Sequence, residues 1–271
     1  MTLTTERIIL NEERNVTLTV MVQTVKIEFR DVTKRPAVLI LPGGGYKRCS
    51  DREAEVIAYP YLNAGYHAFV LRYSVNEHKA WPNPLNDYEQ AMELIRGKGE
   101  EWNILTDKIA VIGFSAGGHL AATAATIAKN RPDAAILVYA ATERDIALAC
   151  QPGTDIPGPT ECVDENTPPC FICATRDDKI VPVHNSLNFQ LALAKYGVPF
   201  ESHIYSYGGH GFATGLANIT NNNISSRVPN WMADSIGWLD EMFGQLTYEG
   251  IGEPKHSSKA HKEDKYWYED L

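Results

Sequence analysis

The stretch Ile109-Ala110-Val111-Ile112-Gly113-Phe114-Ser115-Ala116-Gly117-Gly118-His119 constrains the fold of this chain more than any other. Its first four residues read as a buried strand. The run then breaks into Gly-Phe-Ser-Ala-Gly and resumes as an alanine-rich helix from Leu120 to Lys129. A chain that passes from strand to helix so abruptly leaves no space for side chains at the crossing, which accounts for glycine at 113 and 117. A serine between them, G-x-S-x-G, has the pattern of a nucleophile elbow. The turn lifts the Ser115 hydroxyl clear of the sheet. The unpaired N–H groups of the first helical turn point at the same spot and favour negative charge there. A packing turn or a phosphate-binding helix start has a similar look, so the partners elsewhere in the chain decide between them.

Around this element the chain alternates strands and helices. Pro36–Leu41, Tyr66–Tyr73, Ala134–Ala140, 170–175 and 200–205 are short apolar runs of strand type, and 51–64, 87–102, 183–196 and 229–243 read as helices. Such alternation predicts a mostly parallel sheet covered on both faces, with ligands outside the carboxyl ends of its strands. Residues 7–30 instead alternate apolar and polar (Val16, Leu18, Val20, Val22 against Thr17, Thr19, Met21, Gln23), which suits antiparallel strands with one face on the core. The proline-rich stretch 142–168 has few periodic apolar positions and reads as an excursion over the sheet. Residues 1–248 thus form a single domain in this reading. The tail, 249–271, is polar until Tyr266, Trp267 and Tyr268, which would dock it on the body or on a neighbouring subunit and leave a homo-oligomer open.

Composition excludes several classes. With 34 acidic against 25 basic residues the net charge is −9, which disfavours non-specific nucleic-acid binding and anionic membrane surfaces. No run approaches the roughly 18 apolar residues of a membrane span, and the N-terminus shows no basic region followed by an apolar one. Five cysteines, an odd number, suit a reducing compartment, so the expected location is cytoplasmic. Cys170 and Cys173 form a C-x-x-C, but on a strand they face opposite ways and no second pair stands nearby; their reading is structural.

Serine-based acyl transfer needs a base, an orienting acid and donors for an oxyanion. Asp177 and Asp178 follow the strand 170–175, and His210 lies in Gly208-Gly209-His210-Gly211-Phe212, just past the strand 200–205. All emerge at the sheet edge where Ser115 emerges. Asp177 and Asp178 both remain candidates on placement alone. Among the eight histidines, only His210 combines a glycine-rich loop with that edge; His119 would cap or pack beside the elbow. The triglycine 43–45 lacks the endings of phosphate-binding loops. The N–H groups of Gly44 and Gly45, joined by that of Ala116, suit an oxyanion hole.

Together Pro42-Gly43-Gly44-Gly45-Tyr46, Ser115-Ala116-Gly117-Gly118-His119-Leu120, Asp178-Lys179-Ile180-Val181-Pro182 and Gly209-His210-Gly211-Phe212 make the chain, over roughly residues 15–245, resemble the α/β-hydrolase esterases grouped with acetyl-xylan esterases and BD-FAE-type proteins. The resemblance implies an α/β-hydrolase fold and the chain order Ser, acid, His. Its D-x-x-V-P element selects Asp178 as the acid. It further implies hydrolysis of short acyl esters, acetyl above all, on sugars or xylo-oligosaccharides, by Ser115, Asp178 and His210 without metal or organic cofactor. Tyr46, Trp81 and Trp231 are then candidates for stacking on sugar rings. An aryl-formamidase, a serine peptidase and a catalytically silent receptor of the same fold are the competing readings.

Overall fold

A computed structural model of the chain describes residues 2–24, 31–220 and 223–256. Its centre is an eight-stranded sheet ordered β1-β2-β4-β3-β5-β6-β7-β8. The strands are β1 (Thr2–Asn11), β2 (Val16–Thr24), β3 (Arg35–Leu41), β4 (His67–Arg72), β5 (Ile104–Phe114), β6 (Ala134–Val138), β7 (Cys170–Thr175) and β8 (Phe200–Tyr205). From β4 to β8 all neighbours are parallel; β1 pairs antiparallel with β2, and β2 with β4.

Among the described residues six α-helices connect and cover these strands: α1 (Glu55–Asn63), α2 (Asn83–Gly97), α3 (Ser115–Ile127), α4 (Arg144–Cys150), α5 (His184–Tyr196) and α6 (Trp231–Phe243). The expected helix over 51–64 divides into a 3₁₀ turn, Asp51–Glu53, and α1. The expected helix over 87–102 starts earlier, with Pro84 near its N-terminus where a missing N–H costs nothing. α4 lies inside the proline-rich excursion and carries no sequence signal of a helix; its N-cap makes no side-chain hydrogen bond and it has only seven residues.

Alternate residues of the central strands feed two cores. Leu39, Leu41, Val111, Leu137 and Ile172 pack on one face with α2, α3 and α5. Val38, Ile40, Ile112, Ile136 and Phe171 pack on the other with α1 and α6. Each such side chain contributes roughly 1.5–3 kcal/mol by leaving water. Cys170 and Cys173 fall into opposite cores as free thiols, and burial pushes both thiols up. In β2 the expected one-sided burial gives way to burial of both faces. Thr17, Met21 and Gln23 are covered as well, and Gln23 Nε2 donates to the carbonyls of Leu62 in α1 (2.8 Å) and of Tyr66 just after it (2.7 Å).

Beyond α6 a small hairpin, β9 (Leu246–Thr247) and β10 (Gly250–Ile251), extends the ordered chain past the boundary read at 248. Lys255 N–H donates to the Glu241 carbonyl at 2.8 Å and holds it against α6. Tyr266, Trp267 and Tyr268 lie outside the described residues.

Candidate active site

Ser115 opens α3 at the carboxyl end of β5 with φ +53°, a left-handed conformation unusual for a residue with a side chain. The glycines around it have no alternative. A Cβ on Gly113 would stand 2.3 Å from the Gly117 carbonyl oxygen, and one on Gly117 would stand 2.1 Å from that of Leu41. Close approach of α3 to β3 and β5 thus requires glycine at both places and thrusts Ser115 above the sheet.

Two further loops reach it. His210, after β8, lies with Nε2 2.9 Å from Ser115 Oγ and Nδ1 2.6 Å from Asp178 Oδ2. The Asp178 side chain is 1% exposed, and its other oxygen accepts from the N–H groups of Ile180 (2.8 Å) and Val181 (2.9 Å). Those two bonds aim Oδ2 at the imidazole. Asp177 does something else: its Oδ1 accepts from the N–H groups of Gly208 (2.9 Å) and Gly209 (3.0 Å). These backbone bonds, the one from Gly209 foremost, hold its carboxyl below the usual carboxylate range. Of the two aspartates left open by placement, Asp178 faces the imidazole and Asp177 pins the glycine loop that carries it. Thr175 Oγ1 adds a bond to the Gly209 carbonyl at 2.8 Å.

On the other side of Ser115 lies the loop after β3. Gly44 (φ +130°) and Gly45 (φ +63°) border the same cavity as Ser115, Ala116 and His210, a space of about 370 Å³. Their N–H groups have no backbone carbonyl partner among the described residues. The N–H of Ala116, in the first turn of α3, has no acceptor within its own helix. N–H groups without a carbonyl acceptor beside the Ser115 hydroxyl suit a developing negative charge.

The loop is held by a residue that sequence reasoning missed. Glu53, buried, accepts from the Gly43 N–H through Oε2 (3.0 Å) and from the Tyr139 hydroxyl through Oε1 (2.6 Å). Tyr139 Oη in turn accepts from the Ala213 N–H at 3.1 Å, and its ring lies edge-on to His210, 4.9 Å between centroids. One carboxylate therefore ties the glycine loop, the end of β6 and the histidine loop together. No local pattern marks Glu53, because its partners lie far off along the chain.

Of the three aromatics expected near a sugar, Trp231 does not reach one. It is fully buried, donates Nε1–H to the Ala213 carbonyl at 3.0 Å and packs on Phe114, so it has no face for a ligand. Tyr46 borders the cavity but is 1% exposed, and its hydroxyl donates to His119 Nδ1 at 2.7 Å. His119 Nε2–H donates to the Pro157 carbonyl at 2.9 Å, and burial pulls its pKa down to about 4. Trp81 meets His119 edge-on at 5.8 Å and does not line the cavity. The excursion does: Ile146, Ala147, Ala149 and Cys150 of α4, with Ile180 and Val181, make an apolar wall. Among the described residues no cluster of three or more His, Cys, Asp or Glu could hold a metal ion, and no helix is long and apolar enough to cross a membrane.

A hydroxyl, an imidazole and a carboxylate in relay at the carboxyl edge of this sheet define an α/β hydrolase site. Residues 27–151 match the family model described as BD-FAE. The crystal structure of MGS-M1, an α/β hydrolase enzyme from a Medee basin deep-sea metagenome library, is 43% identical and superimposes with a TM-score of 0.82, covering 89% of this chain and 98% of that one. The chain belongs to the α/β hydrolases. It is similar to part of the endo-1,4-beta-xylanase B of Butyrivibrio fibrisolvens, 34% identical over 67% of this chain and 33% of that protein. It is likewise similar to part of the acetylxylan esterase of Xylanibacter ruminicola, 29% identical over 72% of this chain and 45% of that one. The matches thus span between a third and a half of the curated relatives' own length.

Proposed function

We propose that the chain is a serine esterase that removes short acyl groups, acetyl foremost, from sugars or xylo-oligosaccharides through an acyl-serine intermediate. The observation that carries this reading is the relay Asp178–His210–Ser115, at 2.6 and 2.9 Å, facing N–H groups that have no backbone carbonyl partner among the described residues. His210 Nε2 takes the Ser115 proton as Oγ attacks the ester carbonyl. Asp178 accepts from Nδ1–H and stabilises the imidazolium. The oxyanion lies against the N–H groups of Gly44, Gly45 and Ala116. His210 then protonates the departing alcohol, and a water that gives its proton to His210 releases the carboxylic acid from Ser115. The names of the xylan-acting relatives support a sugar as the alcohol half. The apolar wall of α4 supports a small acyl group.

The test is turnover of p-nitrophenyl acetate and of acetylated xylo-oligosaccharides by the parent and by Ser115→Ala. The expected loss is several orders of magnitude, since such groups act as a unit. Normal turnover by a folded Ser115→Ala protein would overturn the mechanism. Preference for N-formylkynurenine over acetylated sugars would move the reading to an aryl-formamidase, and failure of a fluorophosphonate to label Ser115 would point to a silent receptor.

A further inference from the structure

The geometry points to an anion subsite at the mouth of this cavity, formed by Arg48 and Arg52, that selects esters carrying a carboxylate near the scissile bond. Both arginines line the cavity that holds Ser115 and His210, and both side chains are exposed to it. Arg48 folds over the glycine loop: a Cβ on Gly44 would lie 3.1 Å from its Cγ. Arg52 reaches the opposite loop, since a Cβ on Gly211, next to His210, would lie 3.7 Å from its Nη2. Arg48 thus stands on the glycine-loop side of the cavity and Arg52 on the side of the loop that carries His210.

What makes them unusual is that neither is neutralised. The chain carries nine more acids than bases by its net charge of −9, and many of its arginines are paired: Arg14 with Asp87, Arg72 with Asp51 and Glu55, Arg96 with Asp133, Arg131 with Asp164. Among the described residues Arg48 and Arg52 have no ion-pair partner. The acids beside them in sequence are committed elsewhere. Asp51 pairs with Arg72 at 3.0 Å, and Glu53 binds Gly43 N–H and Tyr139 Oη. Among the described residues Glu53 is also the one acid in the cavity lining. Further positive charge stands close by: Lys79 Nζ donates to the Cys150 carbonyl at 2.8 Å on the same wall, and both Lys79 and Lys47 act on the Cys150 thiol against the upward push of burial. Unpaired guanidinium groups at a cleft present their N–H donors to a planar anion.

The inference rests on the esterase reading. The carboxylate could sit in either half of the ester. A uronic acid would bring it with the alcohol, and a dicarboxylic half-ester would bring it with the acyl group. The experiment separates these. Parent and Arg48→Gln/Arg52→Gln proteins are compared on two pairs, each an anion with a neutral counterpart: 4-acetoxybenzoate with 4-acetoxybenzamide, and p-nitrophenyl hemisuccinate with p-nitrophenyl butyrate. Because each ester is compared between two proteins, its intrinsic reactivity cancels.

The double variant is expected to lower kcat/KM for one anionic ester about tenfold more than for its neutral partner, the size expected of charge-assisted contacts that are partly solvated. The responding pair identifies which half carries the charge. The preference in the parent should shrink at about 1 M salt, where screening acts within roughly 3 Å. Equal losses within each pair would overturn the subsite. Calorimetric titration with 4-acetamidobenzoate and with N-phenylsuccinamate, amides that carry the carboxylate in the leaving-group and the acyl half and resist ester hydrolysis, reads anion binding without turnover. Weaker binding of either by the double variant supports the subsite even if the esterase reading fails, and equal binding of both overturns it.

Discussion

Asp177 and Asp178 are adjacent, alike in chemistry and both hydrogen-bonded at the active-site edge, yet their tasks differ. Asp178 faces His210 Nδ1 at 2.6 Å, whereas Asp177 accepts two glycine N–H groups of the neighbouring loop. Substitution by asparagine separates the roles. Asp178→Asn presents an amide where the imidazole needs an acceptor that also stabilises its cation. Its kcat should fall by about 10⁴, as for the orienting acid of serine proteases. Asp177→Asn keeps an oxygen for Gly208 and Gly209 and should cost less than about tenfold. Steady-state turnover of p-nitrophenyl acetate measures both, and similar losses at the two positions would contradict this division.

At the scale of elements, the site is an agreement among a few loops about where to stop. The elbow is the tightest of them. Gly117→Ala would set a Cβ 2.1 Å from the Leu41 carbonyl oxygen, in backbone that has nowhere to move, and soluble folded protein should be lost. Gly45→Ala meets nothing within 4 Å, so its cost is only that of a left-handed residue at φ +63°, about 1–2 kcal/mol by thermal melting. Glu53 is the tie between the glycine loop and the histidine loop. Tyr139→Phe removes the 2.6 Å bond to Glu53 and the acceptor for Ala213 N–H. It should lower kcat by about tenfold or more with KM little changed, because the glycine N–H groups matter most when the oxyanion forms. Glu53→Gln, which can still accept from Gly43, should lose less; a larger loss in Glu53→Gln than in Tyr139→Phe would argue against the tie.

For the molecule as a whole, two buried histidines contribute to the response to acid. His67 accepts from Gln23 N–H at Nδ1 (3.1 Å) and donates to the Asn103 carbonyl from Nε2 (3.2 Å), and burial lowers its pKa to about 4, as for His119. Both are neutral in the folded chain and titrate near 6.5 when unfolded. Above pH 6.5 neither state binds the proton, so nothing changes. Between 6.5 and 4 the unfolded chain gains protons that the native one does not, and stability falls; below 4 the native state protonates too and the loss levels off. Each histidine should remove roughly 3 kcal/mol across that window. Urea midpoints measured from pH 7 to pH 4 should decline accordingly. His67→Gln should be less stable at pH 7 but flatter across the window, and an unchanged slope would show that His67 does not titrate this way.

Much of this was legible in the order of residues alone, and the reason is range. Strand and helix periodicities, and the glycines of the elbow, express contacts made within a few residues. From them the sheet, its carboxyl edge and the emergence of Ser115 and His210 at that edge could be read. Which aspartate faces the imidazole is a matter of side-chain direction on a bent loop: placement along the chain left both open, the D-x-x-V-P resemblance implied Asp178, and the fold turns that one towards His210. Only the folded chain reveals Glu53, whose partners stand 10 and 86 residues away. Trp231 looks identical in sequence whether it serves a ligand or a core. Its burial depends on α6 closing over Phe114, which no local pattern announces. Residue identity supplied the chemical groups. Tertiary packing chose among them, because the free energy that orients a side chain comes from neighbours that the chain brings together only by folding.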